Sequence, residues 1–105
     1  MEQNYYRKTE NEKEYILCAA IHVDNDIIYE HQPKNIEKGI VVCGRRHHNC
    51  FLTLSKTNIK YKRSTKQGFI TNKDRFVDRK EAGEIAFACG QTEKLEKTLF
   101  SEDLY

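Results

Sequence analysis

With 105 residues and a net charge of +2, the chain has room for one domain with a single thin core. A charged fraction of 32% beside a hydrophobic fraction of 38%, with six Tyr and five Phe, excludes a disordered chain and describes a folded domain with a strongly solvated exterior. Every apolar run falls short of the roughly 20 residues that span a bilayer, so no membrane partner is expected.

Residues 1–14 are polar and mixed in charge, unlike an export signal. The expected location is therefore cytoplasmic, with Cys18, Cys43, Cys50 and Cys89 as buried free thiols. Residues 15–23 (YILCAAIHV) form a nearly unbroken apolar run of β-formers, which predicts a strand covered on both faces. Asp24, Asn25 and Asp26 supply turn chemistry, and residues 27–31 (IIYEH) are expected to return as the second strand of a hairpin. Pro33 ends that strand, having no N–H for a ladder.

Residues 39–43 (GIVVC) predict a third, short buried strand, broken by Gly44. In residues 45–55, His47, Cys50, Phe51 and Leu54 recur at helical spacing. Residues 57–67 carry Lys60, Lys62, Arg63 and Lys66 around Tyr61, the pattern of a loop or of a strand edge guarded by lysine. Residues 68–71 and 75–77 flank Asn72, Lys73 and Asp74 as a second hairpin. Asp78 and Glu81 stand at the cap and third positions of a helix, with Ala82, Ile85, Ala86 and Cys89 as its apolar stripe and Gly90 as its terminator. The acidic tail after Gln91 offers Leu99, Phe100, Leu104 and Tyr105 as anchors. The expected fold is α+β: a small antiparallel or mixed sheet of β-hairpins with two helices packed on it. It forms one ligand-binding domain over residues 1–105, with 1–14 and 92–105 as terminal extensions.

The charge is segregated. Residues 1–37 hold four Lys/Arg against eight Asp/Glu, residues 38–80 twelve against two, and residues 81–105 two against six. A basic centre between acidic ends points to an anionic ligand, or to acidic and basic surfaces meeting between subunits. Both helices begin with cations: Arg45 and Arg46 before His47 in one, Arg79 and Lys80 after Arg75 and Phe76 in the other. That end of a helix is already positive, so cations there cost stability unless an anion is to be held. Phe69 and Phe76 are candidate stacking platforms for a purine, although each taken singly is also an ordinary core residue.

Two other chemistries compete. Cys43, His47, His48 and Cys50 lie close together, with Cys18 and His22 on a neighbouring strand, but their spacing lacks the paired cysteines of a zinc module, so no metal ligand and no cofactor are assigned. His47 and His48 could serve a histidine-dependent nuclease or cyclic-nucleotide hydrolase. Asp74 and Asp78 are already explained by turn and cap, however, and no catalytic residue is assigned. No motif for long nucleic acid is visible.

The stretches ILCAAIH, HQPKNI, VVCGRRHHNCF and GFITNKDRFVDRKEAGEIAFACGQ resemble those of small phage proteins, specifically the first Thoeris anti-defence family, over residues 15–91. That resemblance implies a non-enzymatic sponge in the infected bacterial host. Such sponges sequester cyclic ADP-ribose isomers such as gcADPR, and some also hold cyclic oligonucleotides. It implies a homo-oligomer, a dimer or hexamer, with nucleotide pockets between subunits. The matching residue types are Arg45, Arg46, Phe69, Asn72, Arg75 and Arg79, to which the helix-start His47 and the aromatic Phe76 are added as ligand-binding residues.

Overall fold

The computed structural model of the chain describes residues 13–59 and 65–105. Lys60, Tyr61, Lys62 and Arg63 of the basic segment lie outside the described residues. Four strands, β1 (Ile16–Val23), β2 (Ile40–Gly44), β3 (Thr65–Thr71) and β4 (Phe76–Asp78), form one antiparallel sheet in the order β2-β1-β3-β4. Two helices, α1 (His47–Ser55) and α2 (Arg79–Ala88), pack on one face of it. This is the α+β architecture expected from the sequence.

Strand alternation explains which face the helices cover. Ala19, Ile21 and Val23 of β1 are fully buried and join Phe69 of β3, Cys50 and Leu54 of α1, and Ala82 and Ala86 of α2 in one cluster. Burying a side chain the size of Phe69 contributes about 2–3 kcal/mol. The opposite face of β1 is covered only in part: Ala20 is buried, while Cys18 and His22 are half-buried.

The expected strand at residues 27–31 does not form. Residue 28 touches residue 39 through one isolated parallel bridge, and β1 pairs instead with β2 and β3. Local polar chemistry wins over the β-formers here. The Asn25 side-chain carbonyl accepts from the Ile27 N–H at 3.1 Å, and its amide donates to the Tyr29 hydroxyl at 2.7 Å. Asp26 and His31, at φ 64° and 60°, take left-handed backbone on either side of the run. The same segment then closes both edges of the sheet. Gln32 accepts from the Val41 N–H of β2 at 2.8 Å. Asn35 pairs with both backbone groups of Phe76 in β4, at 2.7 and 2.9 Å. Edge groups that would otherwise pair with another chain are thus occupied.

The second hairpin forms as expected, its turn held by the Asp74 N–H on the Thr71 carbonyl with Asp74 at φ 60°. Asp78 caps α2 by accepting from the Glu81 N–H at 2.8 Å. Gly90, at φ 86°, closes the helix in a Schellman arrangement: the Gly90 and Gln91 N–H groups donate to the Phe87 and Ala86 carbonyls. The acidic tail returns to the domain. Leu99 is fully buried, its N–H bonds the Arg79 carbonyl, and a short 3-10 turn, Ser101–Asp103, follows. All four cysteines are free, but the expectation that they are buried holds only for Cys50: Cys18 and Cys89 are half-buried, and Cys43 is exposed because it lies on the sheet face away from the helices. Among the described residues no helix is long and apolar enough to cross a membrane.

Candidate functional site

Topology brings the two helix starts together. β2 and β4 are the outer strands, yet both end near mid-sheet: Gly44 lies opposite Ala19, and Asp78 opposite Gly68, which faces Ala20. α1 and α2 therefore begin at the same height and on the same face. His47 of α1 donates from Nε2 to the Gly68 carbonyl at 2.7 Å and meets the Phe69 ring edge-on at 5.0 Å. Arg79 of α2 donates to the side-chain carbonyl of Gln67, the next outward residue of β3 on that face, at 2.7 Å. Two positive helix ends thus face one strip of β3.

The C-terminal segment lies over this junction. Arg79 donates its second guanidinium nitrogen to the Leu99 carbonyl at 2.7 Å, and the Phe100 ring lies 4.7 Å from its Cζ. Arg46, which precedes α1, donates to Ser101 Oγ at 3.1 Å, to Glu102 at 3.4 Å and to the Tyr105 carbonyl, with the Tyr105 ring 4.9 Å away. The Tyr105 hydroxyl donates to the carbonyl of Arg45, whose side chain is exposed. Each guanidinium therefore has oxygen acceptors in its plane and an aromatic ring over its face.

The electrostatics follow from burial. Arg79 sits below the ordinary arginine value because it is partly desolvated, with Glu102 opposing the shift. Burial also lowers the His47 pKa, and the nearby charge of Arg79 adds to the effect, against the Gly68 bond and Glu102. Glu102 is held low by the Ser101 hydroxyl first, then by its own backbone amide, Arg46 and His47, against the opposing cost of burial. Among the described residues Arg79 forms no ion pair: its bonded partners are a carbonyl and an amide, both neutral.

The other residues singled out from the sequence lie elsewhere. Arg75 grips Glu14 with two bonds of 2.8 Å and Glu81 with a third of 2.8 Å. Beside it, Asn72 accepts from the Tyr15 N–H at 2.7 Å and donates to the Lys13 carbonyl at 3.2 Å. Arg75 holds Glu14 below the ordinary carboxylate range through those bonds, against the cost of burial. This cluster pins residues 13–15 to the hairpin. Phe69 is fully buried under the helices, and Phe76 is 8% exposed on the opposite face, 5.8 Å from the His22 ring. His48 is exposed.

For metal chemistry, Cys50 Sγ is directed at the Ala19 and Arg46 carbonyls within the helix-covered core, while Cys43 is exposed on the far face. A hydrogen bond from Cys18 draws the Cys43 thiol down to about 7 and pushes Cys18 up. Among the described residues no three His, Cys, Asp or Glu side chains converge on a point.

Sequence reasoning did not anticipate Gln67, Ser101 or the Leu99 carbonyl as partners of the arginines. Phe100 and Tyr105 were visible as apolar residues in an acidic tail, but nothing in their spacing says which cations they cover. No curated protein and no solved structure matches this chain. A family model does match, from residue 15 at the head of β1 to the Tyr105 that lies on Arg46, and the chain therefore belongs to the family described as Phage T4 y16D protein.

Proposed function

We propose that this member of a phage protein family is a non-enzymatic sponge. It binds and sequesters cyclic nucleotide immune signals of the cyclic ADP-ribose type, such as gcADPR, and possesses no bond-breaking step. The observation that carries the proposal is the Arg46–Arg79 junction. Arg79 is partly desolvated, sits at the positive end of a helix and, among the described residues, is bonded only to neutral acceptors. A phosphate there would supply the missing negative charge, and charge-assisted bonds of this kind contribute about 1.5–3 kcal/mol each.

The chemistry of the present contacts matches that of a nucleotide. Phosphate oxygens would take the in-plane N–H groups now on Glu102, the Tyr105 carbonyl and Gln67, and a purine would lie on the Arg46 guanidinium face where Tyr105 now lies. The ligand-bearing set thus narrows from the sequence to Arg45, Arg46, His47 and Arg79, with Gln67 added. Arg75 and Asn72 are engaged in their own cluster, and Phe69 and Phe76 are covered. A homo-oligomer, dimer or hexamer, remains part of the proposal. Leu17, Ile28, Leu52 and Leu95 are each more than half exposed, and association would cover them.

The competing histidine hydrolase finds little support. His47 is buried with its Nε2 proton on the Gly68 carbonyl, His48 is exposed, and among the described residues neither ring bonds a carboxylate that would orient it for catalysis. The two readings separate in one test. Protein mixed with gcADPR and then heat-denatured should return the intact signal. A cleaved product would contradict the sponge and favour the enzyme.

A further inference from the structure

The contacts between the arginines and the C-terminal segment have an uneven distribution. Leu99 and Ser101 are buried, at 0% and 1% exposure, so the chain is anchored up to that point. Beyond it, Tyr105 is 42% exposed, Glu102 and Asp103 are exposed, and only Leu104 packs partly on the core. The segment is held instead by its polar groups: the Tyr105 carbonyl and Glu102 on Arg46, and the Tyr105 hydroxyl on the Arg45 carbonyl. These are contacts that water or an anion can replace, because each uses a group that stays soluble when released.

The segment also imitates an anionic ligand. It brings the Glu102 carboxylate to the positive junction, offers oxygen acceptors in the guanidinium planes, and lays one ring on each guanidinium face. Asp103 accepts from the Phe100 N–H at 2.9 Å, so one short turn of chain across the anchored Ser101 presents these groups. Its other bonds, from the N–H groups of Asp103, Leu104 and Tyr105, run back to the Phe100 and Ser101 carbonyls, so release of residues 102–105 opens the turn.

We infer that residues 102–105 are a displaceable internal occupant of the Arg46–Arg79 site. They hold the two guanidiniums apart and oriented while the site is empty, and they lift off just after Ser101 when a di-anionic phosphate ligand binds. This rests on the reading of the junction as an anion site and adds its regulation. The occupied state lowers apparent affinity by the fraction of time the segment is away, so weakening the segment strengthens binding. Arg79 keeps the Leu99 carbonyl throughout, since Leu99 is behind the hinge, and Arg46 keeps Ser101 while exchanging Glu102 and Tyr105 for the ligand.

Inorganic pyrophosphate is the probe, because it carries the phosphate chemistry without a base. It is titrated into the full-length protein by calorimetry while amide hydrogen exchange is followed. The N–H groups of Asp103, Leu104 and Tyr105, now on the Phe100 and Ser101 carbonyls, are the reporters, and the Leu99 N–H on the Arg79 carbonyl is the internal control. Binding should accelerate exchange at the three reporters by about tenfold or more and leave Leu99 unchanged. The double variant Glu102→Gln, Tyr105→Ala should bind pyrophosphate about five- to tenfold more tightly, and Arg79→Ala should lose binding. Binding to the variant alone would also support the inference, as a segment that shuts the site. Arg79-dependent binding with the reporters unchanged or slowed would overturn the displacement and leave the anion site standing. Absence of binding to both the full-length protein and the double variant would overturn the anion site and the displacement together.

Discussion

His47 shows how a single residue records its surroundings. The sequence offered it as a ligand-binding group or a general base; the fold buries it against Phe69 and gives its Nε2 proton to Gly68. Because burial lowers its pKa in the folded protein, the unfolded chain takes a proton first as pH falls. Stability from this residue is complete above the unfolded value of about 6.5 and is lost as pH drops from there towards the lower folded value. Chemical denaturation at pH 7.5 and 5.5 should show a loss in the wild type that shrinks in His47→Gln. An equal loss in both would contradict the burial argument. Glu14, held low by Arg75, acts in the same direction but below its ordinary value of 4.5, outside that window. The residue types for the site were legible in the sequence as arginines at helix starts. Their sorting was not, because Arg75 and Arg79 are near neighbours in the chain and end in different clusters: one bonds Glu14 and Glu81, the other Gln67 and Leu99.

At the scale of elements, punctuation made most of the fold legible. Asp78 and Gly90 bracket α2, Gly44 closes β2, and Asn72, Lys73 and Asp74 mark the β3–β4 turn, since each position demands a backbone or bonding pattern that few residues supply. The failure at residues 27–31 has the opposite cause. Ile27, Ile28 and Tyr29 have strong β-propensity, but propensity depends on a partner and a face to pack on, and the Asn25 side chain had already turned the chain away. Gly83 illustrates a requirement that only packing reveals. A Cβ there would lie 2.0 Å from the Glu96 carbonyl, so the return segment rests directly on the helix. Gly83→Ala would normally strengthen a helix by about 1 kcal/mol. Here overpacking of about 1–3 kcal/mol should dominate and leave the protein less stable in urea titration. A stabilised variant would show that residues 96–99 do not pack as described.

The whole molecule explains the segregated charge. The acidic ends fold back onto the basic centre: Glu14 reaches Arg75 from one side, and Glu102 reaches Arg46 from the other. The layout that suggests subunits meeting therefore has an intramolecular form, and Arg79 is among the cations that it leaves, among the described residues, without a bonded carboxylate. This could not be read from composition, because it depends on β2 and β4 ending at one height on opposite edges of the sheet. The anion-binding claim is tested most directly by native mass spectrometry of the full-length protein with gcADPR, beside Arg79→Ala. The account predicts an oligomer carrying the intact mass of the signal, with occupancy reduced about tenfold or more in the variant. Equal occupancy in the two proteins, no added mass on either, or the mass of a cleaved product would contradict it.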